Sequence, residues 1–283
     1  MVEEEKVKEI AEAKPEDPKN LYPKEINFKP LAEILEMTWR EERAPAFSTW
    51  NGKFTTKVTK SYRISLCTTV MNRLKDVQQT IPKNMADNAD YENAEFLILD
   101  YNSSGNDLEE WIRKNLRDHI LTRRVAFFRT SDPAFFDMSH SRNLAFKLAT
   151  GDIVNNVDAD AYTNKGFITF VNKLANEQPE KAMFAKSKQL LRGRLGFYRK
   201  EFIEDLGGYD EDLTGYGHDD ADLMNRGWEL GFTMMPFRGP FSGCTADHVK
   251  HQSGNYRELW WKTEGRNRFL SYVKILLGKW KAN

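Results

Sequence analysis

Two aspartates with one residue between them, Asp158 and Asp160, follow a short apolar run and precede a turn. Carboxylates at this spacing suit a divalent cation that holds a phosphate. An acidic surface loop is the plainer interpretation of this triplet alone. The chain on either side of the triplet favours the cation.

A second group of acids lies further along the chain and consists of Asp219, Asp220 and Asp222. Gly215 and Gly217 precede it, and glycine permits positive φ or a close approach of the backbone. Acids in the first turn of a helix are favourable to the helix dipole without any further role. This group therefore has a structural interpretation as well as a functional one.

The elements that must position these acids alternate between strand and helix. Strand-like runs cover residues 63–70, 95–100, 124–129 and 152–157, and helical patterns lie between them. This alternation predicts an α/β domain with a mostly parallel sheet. Ligands of such sheets bind beyond the carboxyl ends of the strands, and the fourth strand brings the Asp158–Asp160 pair to that edge.

Further polar residues are expected at the same edge, where side chains can reach a nucleotide. They are Thr68, Thr69, Asn72 and Arg73 after the first strand, Asp100 and Asn102 after the second, and Arg142 and Asn143 in a later helix. Neither a Gly-x-Gly-x-x-Gly run nor a Walker-type loop follows the first strand, which argues against a dinucleotide or P-loop site. Asp100 has a second interpretation as a turn carboxylate, and Arg142 has one as an exposed arginine.

Helix ends are predicted from breakers and capping residues. The helix after the first strand is predicted to begin at Leu74 and to be ended by Pro82. Ser139 is the predicted N-cap of a helix over 140–149, and Asn106 or Asp107 is that of an earlier helix.

Residues 1–60 are predicted to be an extension of the domain. Residues 1–20 are polar and predict a disordered lead-in. Apolar residues then recur at helical spacing and predict one short amphipathic helix that packs on the domain. They are Leu31, Ile34, Leu35 and Trp39.

Four segments together resemble the donor half of a GT-A-fold glycosyltransferase of the family 2 type. They are Thr-Thr-Val-Met-Asn-Arg (68–73), Leu-Asp-Tyr-Asn-Ser (99–103), Ser-Arg-Asn-Leu-Ala (141–145) and Asn-Asn-Val-Asp-Ala-Asp (155–160). The resemblance spans roughly residues 61–280 and implies one Rossmann-like GT-A catalytic domain, 61–283, with a mostly parallel central sheet. Tyr101 departs from the family pattern, in which a second aspartate is common.

The resemblance makes Asp158-Ala159-Asp160 the DxD motif of that family. In the family these carboxylates hold Mn²⁺ or Mg²⁺ and the ribose of a nucleoside-diphosphate sugar. It implies Asp160 as a metal ligand and Asp158 as a ligand of the ribose or the metal. Nucleotide contacts are implied for Thr68, Thr69, Asn72, Arg73, Asp100 and Arg142.

The run from Gly207 to Arg226 resembles the acceptor-side motif of galactosyltransferase-type GT-A enzymes, where Trp-Gly-Gly-Glu-Asp-x-Asp is found. The resemblance makes Asp220 the catalytic base, which takes the proton of the acceptor hydroxyl. It also puts four residues beside the donor or acceptor sugar, namely Tyr216, Gly217, His218 and Asp219. Enzymes of this type often complete the metal site with a late histidine, so His251, or else His248, is an expected ligand of Mn²⁺.

The expected function is therefore metal-dependent inverting transfer of a hexose or N-acetylhexosamine, with UDP-sugar as the favoured donor and a glycan or glycolipid hydroxyl as the acceptor. A retaining transferase on the same fold is an alternative. A non-catalytic nucleotide-sugar-binding or scaffold protein of a glycan-assembly system is another. A nucleotidyltransferase is disfavoured because no Gly-rich basic loop follows the first strand.

The amino-acid composition limits the kinds of partner that the chain is expected to bind. Lys plus Arg and Asp plus Glu number 42 each, so no net charge points to nucleic acid. Two cysteines form no disulfide framework, which suits a reducing compartment and a cytoplasmic expectation. The basic C-terminal segment could contact an anionic membrane surface or pack on the domain. Its aromatic patch, Tyr256, Leu259, Trp260 and Trp261, could stack on an acceptor sugar.

Overall fold

The computed structural model describes residues 27–43, 47–186, 194–237, 241, 243–245 and 254–283. Its helices are α1 (Lys29–Arg43), α2 (Leu74–Asp87), α3 (Asp107–Asn115), α4 (Arg117–Leu121), α5 (Met138–Leu148), α6 (Phe167–Glu177), α7 (Arg199–Glu204), α8 (Asp219–Glu229) and α9 (Trp260–Leu276). Its strands are β1 (Ile64–Val70), β2 (Ala94–Tyr101), β3 (Val125–Thr130), β4 (Ile153–Asn156), β5 (Ala161–Tyr162), β6 (Ala182–Lys186), β7 (Gly196–Tyr198), β8 (Thr233–Phe237) and β9 (Gly243–Cys244).

Seven of these strands form one sheet in the order β3-β2-β1-β4-β7-β6-β8. β1 pairs in parallel with β2 and β4, and β2 with β3. β7 is antiparallel to both its neighbours, and β8 returns to a parallel pairing with β6. The predicted α/β fold with a mostly parallel sheet is therefore confirmed.

The register of the sheet brings the DxD segment to the carboxyl end of β1. Asn156 pairs with Cys67, and one residue later the Val157 amide donates to the Cys67 carbonyl at 2.8 Å. The chain leaves the sheet there, because Asp158 and Asp160 are polar and follow a strand whose residues are all buried. Both carboxylates consequently lie at the edge where parallel sheets bind ligands.

The prediction that Pro82 ends the helix after β1 was wrong, since α2 continues to Asp87 with Pro82 inside it. Proline removes one helical hydrogen bond, but side chains on both sides of it are held by the DxD loop. The Thr80 hydroxyl donates to the Ala159 carbonyl at 2.7 Å, and the Asn84 amide to the Ala161 carbonyl at 2.9 Å. These tertiary bonds keep the helix in place beyond the proline.

Of the two predicted helix caps, one was wrong. The N-cap of α5 is Asp137, which accepts from the His140 amide at 3.0 Å, whereas Ser139 lies inside the helix. Asn106, one of the two candidates for the earlier helix, is the N-cap residue of α3, but its side chain makes no capping hydrogen bond. It accepts instead from Arg129 at 2.9 Å, because that cation lies at the end of the neighbouring strand β3.

The predicted amphipathic helix exists as α1, and it packs on the domain through Leu35 and Trp39 of the predicted apolar set. Ala32 and Trp39 are buried, whereas Leu31 and Ile34 are 47% and 60% exposed. The Trp39 ring packs 5.6 Å from that of Tyr272 in α9. Residues 48–50 then join the edge of the sheet at β8 through backbone hydrogen bonds. This part of the extension is thus docked on the domain, while residues 1–26 lie outside the described ranges.

Both cysteines are free thiols, as predicted, with Cys67 buried and Cys244 exposed. Among the helices of the described ranges, none combines the length and the hydropathy that crossing a bilayer requires.

Candidate active site

Arg142, in the first half of α5, lies at the centre of the acids that the sequence singled out. Its side chain is 2% exposed. The guanidinium makes a close ion pair with Asp219. It also lies 3.0 Å from Asp220 Oδ1 and 3.1 Å from Asp158 Oδ1. Asp158 of the DxD motif and Asp219 and Asp220 of α8 are therefore brought together by one buried cation.

Burial by itself would lower the pKa of Arg142, but the surrounding carboxylates raise it well above its ordinary value. The residue is thus a permanent counter-ion of the cluster. An exposed arginine on a helix face, the alternative interpretation of the sequence, is excluded by its burial. Contact with a nucleotide stays a prediction for this residue.

The loop before α8 is shaped by α9. Thr263 Oγ1 accepts from the Tyr216 amide at 3.3 Å and donates to the Tyr216 carbonyl at 2.7 Å. Gly217 has φ +97°, and a Cβ there would lie 3.0 Å from the Glu264 side chain. Only glycine fits this position without displacing the helix. The contact of α9 with this loop positions the start of α8, so that Asp219 and Asp220 lie beside Arg142.

A tight turn at Gly207–Gly208 positions a further partner of Asp220. Gly208 has φ +87°, and a Cβ there would lie 2.5 Å from Asn143 Oδ1. Asn143 accepts from the Tyr209 amide at 2.7 Å and donates to the Tyr209 carbonyl at 2.8 Å. Held in this way, the Tyr209 hydroxyl donates to Asp220 Oδ1 at 3.1 Å.

The environment of Asp220 suits proton transfer near neutral pH. Burial raises its pKa to about 7, helped by the charge of Asp219 and opposed by Arg142. Burial likewise raises the pKa of Asp219. A general base works best when its pKa lies near the working pH, and Asp220 meets that condition.

The second aspartate of the DxD motif has its own arginine. Arg73 Nη2 lies 3.1 Å from Asp160 Oδ2, and Arg73 Nε lies 2.9 Å from Asp76 Oδ2. The hydroxyl of Thr245 donates to the other oxygen of Asp76 at 2.7 Å. Burial, and next the charge of Asp158, raise the pKa of Asp160. Carboxylates thus outnumber guanidiniums in direct contact across this edge of the sheet.

Asp158 and Asp160 provide part of a site for a divalent cation. Across the described ranges, no group of three or more His, Cys, Asp or Glu is arranged to hold a metal, and His248 and His251 lie outside those ranges. The mutual repulsion of Asp158 and Asp160 is what a cation would relieve. Mg²⁺-type ions are commonly held by one or two carboxylates together with substrate phosphates.

Other predicted nucleotide contacts have partners within the protein. Asp100 is fully buried, accepts from the Ser103 amide at 2.8 Å and lies 3.4 Å from Arg129, which is the turn role that the sequence left open. Asn72 donates to Asn255 at 2.9 Å. Thr68 is buried in β1, and Thr69 follows it at the strand end. A role for these four in nucleotide binding stays a prediction.

The ring of His218 faces away from the carboxylates. It packs 5.4 Å from the Tyr272 ring, toward α1 and α9. Burial lowers the pKa of His218 to about 4, so the imidazole is neutral. Its predicted contact with a sugar stays a prediction. The backbone of His218 has φ +67° and precedes the first residue of α8.

Sequence reasoning missed two contributors to the site. Tyr209 bonds to the candidate base, and Asp76 bonds to Arg73. Tyr256, a member of the predicted aromatic patch, packs 5.5 Å from Tyr216. The Gly-Gly pair before Tyr209 was the available signal, since it marks a constrained turn. Asp222, in contrast, is structural, because it pairs with Arg226 at 2.7 Å and accepts from Ser271 at 2.7 Å.

Parts of this chain are similar to known proteins. A family model described as the N-terminal domain of galactosyltransferase matches residues 179–252, which contain the loop and acids of α8. No curated protein matches the sequence.

Three solved structures share the architecture. The mannosyltransferase PcManGT from Pyrobaculum calidifontis, in complex with GDP-Man and Mn²⁺, is 17% identical with a TM-score of 0.55, over 76% of this chain and 68% of that one. S. aureus TarS 1–349 in complex with UDP is 13% identical with a TM-score of 0.52, over 64% and 59%. GalNAc-T7 with UDP, GalNAc and Mn²⁺ is 13% identical with a TM-score of 0.53, over 64% and 42%.

The chain thus spans under two thirds of the TarS fragment and of GalNAc-T7. At these identities the likeness is one of fold. The strand order, the DxD segment at the end of β4 and these structural neighbours agree, and the chain has the GT-A fold of glycosyltransferases.

Proposed function

We propose that this protein is a metal-dependent inverting glycosyltransferase. It moves a hexose or N-acetylhexosamine from a nucleoside-diphosphate sugar to a hydroxyl of a glycan. One observation carries the proposal: Asp158 of the DxD pair and the candidate base Asp220 meet at one edge of the sheet, both within 3.1 Å of Arg142. Donor-binding and proton-accepting groups are thereby neighbours, as transfer requires.

In the proposed reaction, the acceptor hydroxyl oxygen bonds to the anomeric carbon while the bond from that carbon to the diphosphate breaks. The electron pair of the broken bond leaves with the nucleoside diphosphate. Asp220 takes the hydroxyl proton, and Tyr209 and Arg142 hold its carboxylate in place. Asp158 and Asp160 would hold a divalent cation, which would supply positive charge for the leaving diphosphate.

The named complexes of the structural neighbours support the donor class. They contain GDP-Man, UDP or UDP with GalNAc, and two contain Mn²⁺. UDP-sugar is the favoured donor and GDP-sugar is the alternative to compare with it. The excess of carboxylates over guanidiniums at the site supports the requirement for a cation.

The test is release of UDP or GDP from sugar donors with Mn²⁺ present, for wild type and Asp220→Asn. We expect the variant to be about 10²–10⁴-fold slower, the usual contribution of a positioned base, with Mn²⁺-dependent thermal stabilisation by the donor retained. Asp118→Asn, an exposed acid on α4, is the matched control. Normal turnover by Asp220→Asn would show that another group is the base.

The stereochemistry has a separate test. Nuclear magnetic resonance of the first product formed reports the anomeric configuration before any exchange. Inversion supports the role of Asp220 as base, and retention supports the retaining alternative on the same fold.

A further inference from the structure

The start of α9 presents three consecutive large apolar side chains to solvent. Leu259, Trp260 and Trp261 are 52%, 59% and 52% exposed. Single exposed apolar residues are ordinary, whereas a contiguous group indicates a binding surface. We refer to these three residues as the α9 platform.

The platform lies beside the loop that carries the candidate base. Thr263 holds Tyr216 through both backbone groups of that residue. Trp260 precedes Thr263 by three residues and so shares its helix face, about 4.5 Å further along the axis. The exposed indole is thus one turn outward from the contact that aims Asp219 and Asp220.

A contact between two half-buried tyrosines joins the loop before α8 to the segment before the platform. Tyr216 lies in that loop, three residues before Asp219. The Tyr216 ring meets that of Tyr256 edge-on at 5.5 Å. Tyr256 precedes Leu259, the first platform residue, by three residues in the chain. The platform is thus tied to the loop of the candidate base through Tyr256 as well as through Thr263.

Lys262 lies 5.4 Å over the ring of Trp261, and the other positive charges of α9 are directed to the rest of the protein. Arg268 pairs with Glu36 of α1, with Nε at 2.9 Å from the carboxylate, and Lys274 lies 2.6 Å from Asp210. Arg266 pairs with Glu258 at 2.9 Å. A surface that binds anionic lipid needs such charges free for the membrane. The arrangement therefore favours a neutral, hydroxylated partner over a bilayer.

We infer that the α9 platform binds the acceptor as an oligosaccharide, with the apolar faces of its sugar rings stacked on Trp260 and Trp261. This inference rests on the proposed function. The contact of Thr263 with Tyr216 lies between the platform and the start of α8, so a ring on the platform is a different ring from the one that receives the transfer. The acceptor class is accordingly a chain of two or more sugars, not a free monosaccharide.

The test compares wild type, Trp260→Ala and Trp261→Ala for binding to immobilised oligosaccharides of hexose, N-acetylhexosamine and uronic acid types. The full chain is used, with Mn²⁺ and UDP or GDP present. We expect wild type to bind at least one chain, and each variant to bind it about tenfold more weakly. Leu277→Ala, a 68% exposed residue at the other end of α9, should bind like wild type.

Binding of all variants equal to that of wild type, or retention of no oligosaccharide by wild type, overturns the inference. So does binding of wild type to phosphatidylglycerol vesicles that the tryptophan variants lose while glycan binding is unchanged, since the platform then serves a membrane. Thermal stabilisation by UDP or GDP with Mn²⁺ separates the two proposals. If the tryptophan variants keep this nucleotide-dependent stabilisation, a loss of glycan binding concerns the platform alone. If wild type shows no such stabilisation, the proposed function itself fails.

Discussion

Replacing Arg142 with methionine removes the buried cation that joins Asp158, Asp219 and Asp220. Methionine fills much of the same volume, so the change is chiefly one of charge. Breaking a buried ion pair by removing one partner costs about 3–5 kcal/mol, because the remaining charge is uncompensated. For a domain of this size we expect the Tm to fall by about 6–15 °C at pH 8.

The loss should depend on pH with a definite sign. Without Arg142 the pKa values of the neighbouring carboxylates rise further, so that lowering the pH neutralises them and restores stability. The difference in unfolding free energy between wild type and Arg142→Met should therefore be largest above pH 7 and shrink toward pH 5. Urea unfolding at several pH values, followed by circular dichroism, measures it.

Arg113→Met is the control for this prediction. Arg113 pairs with Glu109 at 2.7 Å on the surface of α3 and is 67% exposed, so its removal should change the unfolding free energy by less than about 1 kcal/mol. If Arg142→Met unfolded within 2 °C, roughly the effect of 1 kcal/mol, of wild type at pH 8, the cluster would not be desolvated as the structure has it.

Three further predictions concern the same edge of the sheet. The folded-state pKa of Asp220, about 7, exceeds the value of about 3.9 for an unfolded chain, so its contribution to stability falls as pH rises from about 4 to about 7. Calorimetry should show a flatter profile for Asp220→Asn. Arg73→Met removes the counter-ion of Asp160 and should strengthen Mn²⁺ binding, which electron paramagnetic resonance measures. Weaker Mn²⁺ binding by the variant would contradict this prediction. Gly208→Ala would force a Cβ onto Asn143 at positive φ and should cost about 1–3 kcal/mol in urea unfolding, and an unchanged midpoint would exclude that clash.

The local sequence determined the strands and helices of the central domain. Alternating strand and helix patterns predicted the parallel sheet, since burial on both faces favours continuous apolar runs such as residues 96–99 of β2. The position of Asp158 and Asp160 followed from the same pattern, because residues after a parallel strand lie at the ligand-binding edge. The acids before Leu223 likewise predicted the start of α8, where they complement the helix dipole.

Only the tertiary structure decided which side chains meet. Arg142 was predicted to contact a nucleotide, and it lies buried among carboxylates from two separate segments, a contact that no local pattern encodes. Helix α2 passes through Pro82 because Thr80 and Asn84 bond to a loop distant in sequence. Of the predicted apolar residues of α1, Trp39 is buried because it packs on Tyr272 of α9, whereas Ile34 is exposed. Sequence periodicity identifies the apolar residues of a helix. The surface that packs on the helix is formed by distant parts of the chain, and it determines which of those residues are buried.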